Sequence, residues 1–308
     1  MDRHEFLSGV HSAFSPRNYL EIGVSDGRSL TLSRTRSIGI DPAFKVMAEQ
    51  ECALKLVRAT SDDFFARPAP VDFFPEGTID YALIDGMHLF EYALRDFMNV
   101  ERHSTWSTVI VFDDMLPRSV SEAARDRHTV FWAGDVYKVT EVLRRYRPDL
   151  VLVELDTEPT GLLLVLGADP TNNVLHEKYD EIIAEFVYDD PQRVGTDFLE
   201  RKLSADPAAV LATDVWGKLA AARDAGSDRD ASLFEPIGQL IGSGPVKPVV
   251  PPGPNPWPIP KAAKKAASPK SAPQSSAPKK PAEPSVRRAA RDLKRAVQRS
   301  AKRRLGRS

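Results

Sequence analysis

Short runs of consecutive apolar residues recur along the first 170 positions, and most of them end at a turn signal. The runs cover residues 19–24, 37–40, 56–59, 79–84, 108–112, 151–155 and 161–166. Because such runs are typical of strands buried on both faces, they predict a mostly parallel, seven-stranded sheet covered by helices. Helix-like stretches between the runs favour a doubly wound α/β fold. Only residues 156–160 separate the last two runs, so we expect the last strand to be antiparallel beside its predecessor.

The pattern changes after the last predicted strand. Residues 1–170 hold the predicted α/β domain, and residues 171–243 predict a helical extension, for which a cap and a dimer surface of a homo-oligomer are both open roles. Residues 244–285 are rich in Pro, Ala, Lys and Ser, and this composition predicts a disordered linker. Residues 286–308 place apolar residues at helical spacing among Arg and Lys, which predicts a basic amphipathic helix.

Charge is divided between an acidic body and a basic tail. Residues 261–308 contain 16 Lys/Arg and 2 Asp/Glu, a net of about +14, whereas residues 1–260 contain 26 and 41, a net of about −15. This division is typical of a soluble domain with an interaction arm. Three roles for the tail stay open: a solubilising disordered arm, contact with an anionic membrane surface, and neutralisation of nucleic-acid phosphates.

The cysteine content and the hydropathy of the chain indicate the cellular compartment in which we expect the protein. Cys52 is the only cysteine, which excludes an intrachain disulfide and a cysteine metal cluster. The N-terminal residues lack the apolar core of a signal peptide, and no run reaches the roughly 18–20 apolar residues of a membrane span. We expect a cytoplasmic protein, with peripheral contact to the inner face of the membrane as an alternative.

The first predicted strand leads into an acidic, glycine-containing loop, EIGVSDG, at residues 21–27. Gly23 and Gly27 allow the backbone to approach a ligand, and a helix expected beyond the loop would offer free N–H groups. Asp41 follows Glu21 by 20 residues, at the end of the second strand, where a carboxylate can accept hydrogen bonds from ribose hydroxyls. A plain tight turn is the structural alternative. Because the loop is acidic, it favours the cationic cofactor S-adenosylmethionine (SAM) over the pyrophosphate of a nicotinamide cofactor.

Acidic residues follow the fourth and fifth predicted strands. Asp85 ends the fourth strand, with His88 three residues later, and Asp113 and Asp114 end the fifth. Because the carboxyl ends of neighbouring strands share one edge of the sheet, these acids are expected to converge, and Mg²⁺ is the cation that suits them. The ion would lower the pKa of an acceptor hydroxyl, and His88 would remove its proton. The structural alternatives are a turn at Asp85, a helix N-cap at Asp113 or Asp114, and a structural histidine.

Four segments resemble a known family: YLEIGVSDGRSL, IGIDP, DYALIDGMHLFEYALRDF and VIVFDDM. They are similar to class I SAM-dependent methyltransferases of the group that includes macrocin and mycinamicin sugar O-methyltransferases and cephalosporin-hydroxylase-like proteins. This resemblance implies that Asp85, Asp113 and Asp114 bind Mg²⁺, that His88 is the base, and that Asp41 holds the ribose of SAM.

The resemblance further implies that Ser61 and Asp62 approach the adenine of SAM, and we expect Asp85 to contact the cofactor as well. Ser25 stands where the commonest SAM loop has a glycine, and residues 131–150 match no acceptor-binding motif. The implied activity is Mg²⁺-assisted O-methylation of a hydroxylated small molecule or saccharide. Two alternatives remain: a non-catalytic SAM-fold module tethered by its tail to membrane or nucleic acid, and a nicotinamide-dependent oxidoreductase.

Overall fold

The apolar runs form the strands of one sheet in the computed structural model, which describes residues 1–249. The sheet has seven strands in the order β3-β2-β1-β4-β5-β7-β6. The strands are β1 (Asn18–Ile22), β2 (Arg36–Ile40), β3 (Leu54–Val57), β4 (Ile79–Ile84), β5 (Ser104–Asp113), β6 (Val151–Leu155) and β7 (Leu162–Leu166).

Six strands run in one direction and β7 runs in the other. β1 pairs in parallel with β2 and β4, whereas β7 pairs antiparallel with both β5 and β6. The predicted mostly parallel sheet with an antiparallel last strand is therefore confirmed, with β7 inserted between β5 and β6. The strand order reverses between β1 and β4, and such a switch point leaves a crevice at the carboxyl ends of the strands.

Helices cover both faces of the sheet. They are α1 (Arg3–Phe14), α2 (Ser61–Phe65), α3 (Phe90–Arg102), α4 (Lys138–Tyr146), α5 (Val174–Glu177), α6 (Tyr179–Phe186), α7 (Thr196–Leu199), α8 (Pro207–Leu211), α9 (Val215–Ala225) and α10 (Glu235–Gly238). Single 3₁₀ turns occur at Leu30–Leu32 and Ala231–Phe234.

The helix expected directly after the loop at residues 21–27 does not form. Leu30–Leu32 make one 3₁₀ turn instead. The sequence here is rich in Ser and Thr, whose hydroxyls bond to nearby backbone and compete with a helix. The Ser33 hydroxyl, for example, accepts a hydrogen bond from the backbone N–H of Thr35 at 3.2 Å. The prediction of a helix N-terminus at the cofactor loop was therefore wrong.

Each face of the sheet has its own hydrophobic core. α3 and α4 pack on one face against residues such as Leu20 and Ile22, and α1, α8 and α9 pack on the other against Tyr19 and its neighbours. Successive residues of β1 thus point to opposite faces, as the period of two in a strand requires. The packing of α1 places the first residues of the chain at the carboxyl edge of the sheet.

The region predicted as a helical extension, residues 171–243, contains α5 to α10, and three of these helices, α8, α9 and α10, share a core with α1. Of the predicted linker, only residues 244–249 are described, and Gly244 donates its N–H to the Ser204 carbonyl. The remainder of the linker and the predicted amphipathic helix at residues 286–308 lie outside the described residues. Among residues 1–249, no helix combines the length and the apolar character needed to cross a membrane.

Candidate active site

A cavity of about 780 Å³ lies at the carboxyl edge of the sheet. Loops after β1, β2, β4 and β5 provide much of its wall, together with Arg3 at the start of α1. The residues of the predicted site that line it are Gly23, Ser25, Asp41, Ser61, Asp62, Asp85, His88 and Asp114. The structure therefore brings the cofactor half and the acceptor half of the predicted site around one space.

The loop after β1 passes very close to the end of β4. Gly23 has a φ of +90°, and a Cβ added to it would overlap the carbonyl oxygen of Asp85, far inside the 3.0 Å below which real Cβ contacts essentially never occur. Glycine is therefore required at this position for two reasons, its backbone conformation and the absence of a side chain. This close approach joins the two halves of the site.

Asp41 fixes the conformation of the same loop. Its Oδ2 accepts the backbone N–H of Ser25 at 2.8 Å, and its Oδ1 accepts the N–H of Ala43 at 2.6 Å. Ser25 has a φ of +49°, which is uncommon for a residue other than glycine. Because each carboxylate oxygen has two acceptor sites, Asp41 can hold this strained loop and still accept hydrogen bonds from a ligand in the cavity.

The first turn of α2 also reaches the cavity. Asp62 forms an ion pair with Arg95 of α3 at 2.8 Å, so its charge is already balanced. Ser61 lines the cavity together with the buried Asp96, and burial raises the pKa of Asp96 to about 7. Of the two residues predicted to approach adenine, Ser61 is therefore the one on the cavity wall that does not belong to an ion pair. Asp96 lines the cavity as well and was not assigned from the sequence.

Two predicted cofactor residues, Glu21 and Gly27, are not on the cavity wall. Strand alternation turns Glu21 towards the face of the sheet that carries Tyr19, whose hydroxyl donates to Glu21 Oε2 at 2.7 Å. Glu21 is fully buried, and this burial raises its pKa to about 8. Gly27 has a φ of +83° and lies against Val46. Gly27 therefore shapes the turn and Glu21 is buried below it, so that a role of either residue in cofactor binding stays a prediction.

Asp85, His88 and Asp114 form a cluster in which one donor atom of each lies within 4.8 Å of the others. Nε2 of His88 is 3.3 Å from Asp85 and 3.2 Å from Asp114. Asp113 lies beside this cluster: its Oδ1 accepts the N–H of Asp114 at 2.9 Å and its Oδ2 contacts Arg3. Of the three predicted metal ligands, two join His88 and the third is offset, because Asp113 is the last residue of β5 whereas Asp114 lies beyond the strand with a φ of +61°.

The hydrogen bonds of His88 define how its ring is used. Nδ1 donates to the carbonyl oxygen of Trp132 at 2.8 Å, so Nε2 faces the two carboxylates. Burial by itself lowers the pKa of His88, but the hydrogen bond to Asp85 and the charge of Asp114 outweigh it and raise the pKa to about 9. A histidine in this state is protonated at neutral pH. Its predicted role as a base therefore requires that the charge of the two carboxylates be offset.

A segment between β5 and α4 covers His88, and this cover was not predicted from the sequence. The Trp132 ring stacks on the imidazole with 5.1 Å between the ring centroids. Gly134 has a φ of +65°, and a Cβ there would overlap the carbonyl oxygen of His88. From the loop before β7, the hydroxyl of Thr160 donates to Asp114. A glycine shortly after an aromatic residue was the one available signal for this cover, and nothing in the sequence links Thr160 to the cluster.

The comparison with protein families agrees with this arrangement. A family model described as a methyltransferase domain matches residues 20–115, from β1 to just beyond the acids that end β5. The match confirms the prediction of a methyltransferase enzyme. It covers less than half of the chain and does not distinguish the macrocin, mycinamicin and cephalosporin-hydroxylase-like group, so that narrower resemblance stays a prediction. No curated protein matches the chain.

Several solved structures are similar in part. An O-methyltransferase from Bacillus cereus in complex with S-adenosylhomocysteine (SAH) is 16% identical, with 54% of this chain and 80% of that chain covered and a TM-score of 0.39. The O-methyltransferase TomG from Streptomyces achromogenes, which is involved in tomaymycin synthesis and has SAM bound, is 19% identical over the same shares, with a TM-score of 0.41. A SAH-bound methyltransferase from Podospora anserina is 11% identical, covering 54% and 78%, with a TM-score of 0.39. At such scores, no property of these proteins is transferred to the present chain.

Proposed function

We propose that this methyltransferase transfers the methyl group of SAM to a hydroxyl oxygen of a small molecule or saccharide, with Mg²⁺ assisting. The observation that carries the proposal is the single cavity that joins the loop at Gly23 to the cluster of Asp85, His88 and Asp114. A methyl donor bound at the loop and an acceptor bound at the cluster would share that cavity. Holding the two reactants together is itself a large source of rate acceleration.

The cofactor half of the cavity suits an uncharged ribose and a cationic amino acid moiety. Asp41 would hold the ribose of SAM, and the backbone around Ser25 would hold its amino acid moiety. Ser61 lies where the adenine could pack. SAM supplies an electrophilic methyl group on its sulfonium. The acidic residues of the cavity wall favour this cation over a pyrophosphate, which is why a nicotinamide cofactor fits less well.

The acceptor half has oxygen donors that fit a hard divalent ion. Asp85 and Asp114 would hold it, with Asp113 close by. Such an ion supplies Lewis acidity that lowers the pKa of a coordinated hydroxyl. With the carboxylate charge offset, the interactions that raise the pKa of His88 would weaken, and Nε2 could accept the hydroxyl proton.

The wall beyond His88 supports a small organic acceptor. Val130 and Phe131 line the cavity and are about half exposed, at 52% and 50%, and Met87 is exposed at 56%. An apolar wall next to a polar cluster is the usual composition of a small-molecule site. The alternative of a non-catalytic module is not favoured, since it depends on the basic tail, beyond the described residues, and assigns no role to His88.

The test separates binding of SAM from turnover. SAH formation from SAM would be measured with Mg²⁺ across a panel of sugars and phenols, and SAM affinity by calorimetry. We expect His88→Gln and Asp85→Asn to reduce turnover at least about 100-fold, the usual scale for a lost base, with SAM affinity changed less than about threefold. The matched control is Asp26→Asn, because Asp26 is an acid on the same cavity wall that pairs with Arg28 instead. Loss of SAM binding in the first two variants would contradict this division of the site.

A further inference from the structure

Arg3 is the first residue of α1, and the start of this helix is firmly fixed. Asp2 caps it: the Asp2 carboxylate accepts the N–H of Glu5 at 2.9 Å, and the Glu5 carboxylate accepts the N–H of Asp2 at 2.8 Å. The buried side of α1 packs into the core below the sheet edge through Phe6, Leu7, Val10 and Phe14. The backbone of Arg3 is therefore held in one place beside the cavity.

The side chain of Arg3 lies between carboxylates of two adjacent strands. One guanidinium nitrogen, Nη1, is 3.1 Å from Asp85 Oδ2 and also contacts Asp113 Oδ2. The Asp113 side chain is only 3% exposed and that of Asp85 is 16% exposed, so little water screens the contact. This nitrogen therefore contacts two carboxylates beside the cluster, one of them the proposed metal ligand Asp85.

We propose that Arg3 is a built-in competitor that sets the affinity of the acidic cluster for a divalent cation. The inference rests on the proposed function, in which Asp85 is a metal ligand. A guanidinium is permanently charged, so pH cannot switch it off. Because two cations in a poorly screened space repel strongly, a metal ion held by Asp85 would be disfavoured while the guanidinium stays beside that carboxylate.

The geometry gives Arg3 a way to leave without unfolding. Its side chain is 26% exposed, so the guanidinium has a path to solvent while α1 stays packed. Metal binding is then coupled to a rotation of one long side chain, and α1 acts as the element that positions it. In the absence of metal, the same contact balances the charge of buried Asp113.

The test uses Mn²⁺ as the probe. Its binding to the full-length chain, with SAH present, is measured by electron paramagnetic resonance. We expect the neutral variants Arg3→Met and Arg3→Gln to bind Mn²⁺ at least about tenfold more tightly than the unaltered chain. Arg3→Lys keeps the charge and should remain within about threefold of it. Arg28→Met is the matched control, because Arg28 lines the same cavity but pairs with Asp26 and should not affect Mn²⁺ binding.

Unchanged or weaker Mn²⁺ binding in both neutral variants would overturn the proposal, as would the absence of Mn²⁺ binding from every variant. If Arg3→Met fails to fold, Arg3→Gln decides the result. SAH affinity measured on the same samples separates this proposal from the proposed function. Retained SAH binding with no effect at Arg3 rejects only the competition, whereas loss of SAH binding by the unaltered chain rejects the methyltransferase site itself.

Discussion

Replacing Gly23 with alanine should destabilise the fold and weaken the cofactor site. Two effects, backbone strain and steric overlap, contribute to the lost free energy of unfolding. A φ of +90° strains any residue with a Cβ, which costs about 1–2 kcal/mol. The added Cβ would also overlap the carbonyl oxygen of Asp85, and forcing extra atoms into a packed region typically costs about 1–3 kcal/mol more. We therefore expect Gly23→Ala to lower the free energy of unfolding by about 2–5 kcal/mol.

Gly77→Ala is the matched control for this change. Gly77 also has a positive φ, +68°, but a Cβ there would meet nothing within 4 Å. It should show the backbone strain alone, about 1–2 kcal/mol, less a few tenths to about 1 kcal/mol for the reduced freedom of the unfolded chain. The difference between the two variants then measures the overlap with Asp85.

Urea unfolding gives both free energies, and calorimetry with SAH gives the consequence for the site. We expect SAH affinity to fall at least about tenfold in Gly23→Ala and to stay unchanged in Gly77→Ala, because Gly77 is not on the cavity wall. Equal losses of stability in the two variants, or normal SAH binding by Gly23→Ala, would contradict this prediction. Either result would mean that the loop after β1 does not depend on its close approach to β4.

Three further predictions concern the surroundings of the site. Gly134→Ala should reduce turnover at least tenfold but leave SAH affinity intact, because the new Cβ would displace the backbone of His88; equal losses of both would contradict this. Thr160→Val should reduce turnover by about tenfold, the effect of losing one charge-assisted hydrogen bond to Asp114, and steady-state kinetics at saturating SAM would detect it. Burial raises the pKa of Glu21 from 4.5 to about 8, so the folded chain keeps a proton that the unfolded chain releases. The free energy of unfolding should therefore fall by up to roughly 1.4 kcal/mol per unit as pH rises from 4.5 to 8. Because Asp96 and His88 also have raised pKa values, urea titrations across this range should show a slope that is smaller by up to this amount in Glu21→Gln than in the unaltered chain.

Much of the fold could be predicted because its signals are local. Each buried parallel strand appears as an apolar run followed by a turn, and the acids at the run ends necessarily meet at one edge of the sheet. That rule was sufficient to bring Asp41, Asp85 and Asp114 to one cavity. The rule does not predict towards which face of the sheet a side chain at the end of a strand points. For that reason Glu21 and Asp113, which were predicted to belong to the site, do not line the cavity.

The parts of the site that were missed come from contacts between distant segments. Arg3 reaches the cluster because α1 packs against α8 and α9, and Trp132 covers His88 through an irregular segment with no periodic pattern. Neither contact has a signature in the sequence. Both change the chemistry, because one adds a cation to the acidic cluster and the other commits Nδ1 of His88 to a backbone carbonyl.

The proposed function depends on SAM binding in the cavity between the loop at Gly23 and Asp41, beside His88. The most direct measurement is calorimetric titration of the chain and of Asp41→Ala with SAM and SAH, with and without Mg²⁺. We predict one-to-one binding of both ligands to the unaltered chain and affinity at least about tenfold lower in Asp41→Ala, because a carboxylate hydrogen bond contributes about 1.5–3 kcal/mol. Absence of heat with both ligands, or equal affinity in the two proteins, would contradict the claim.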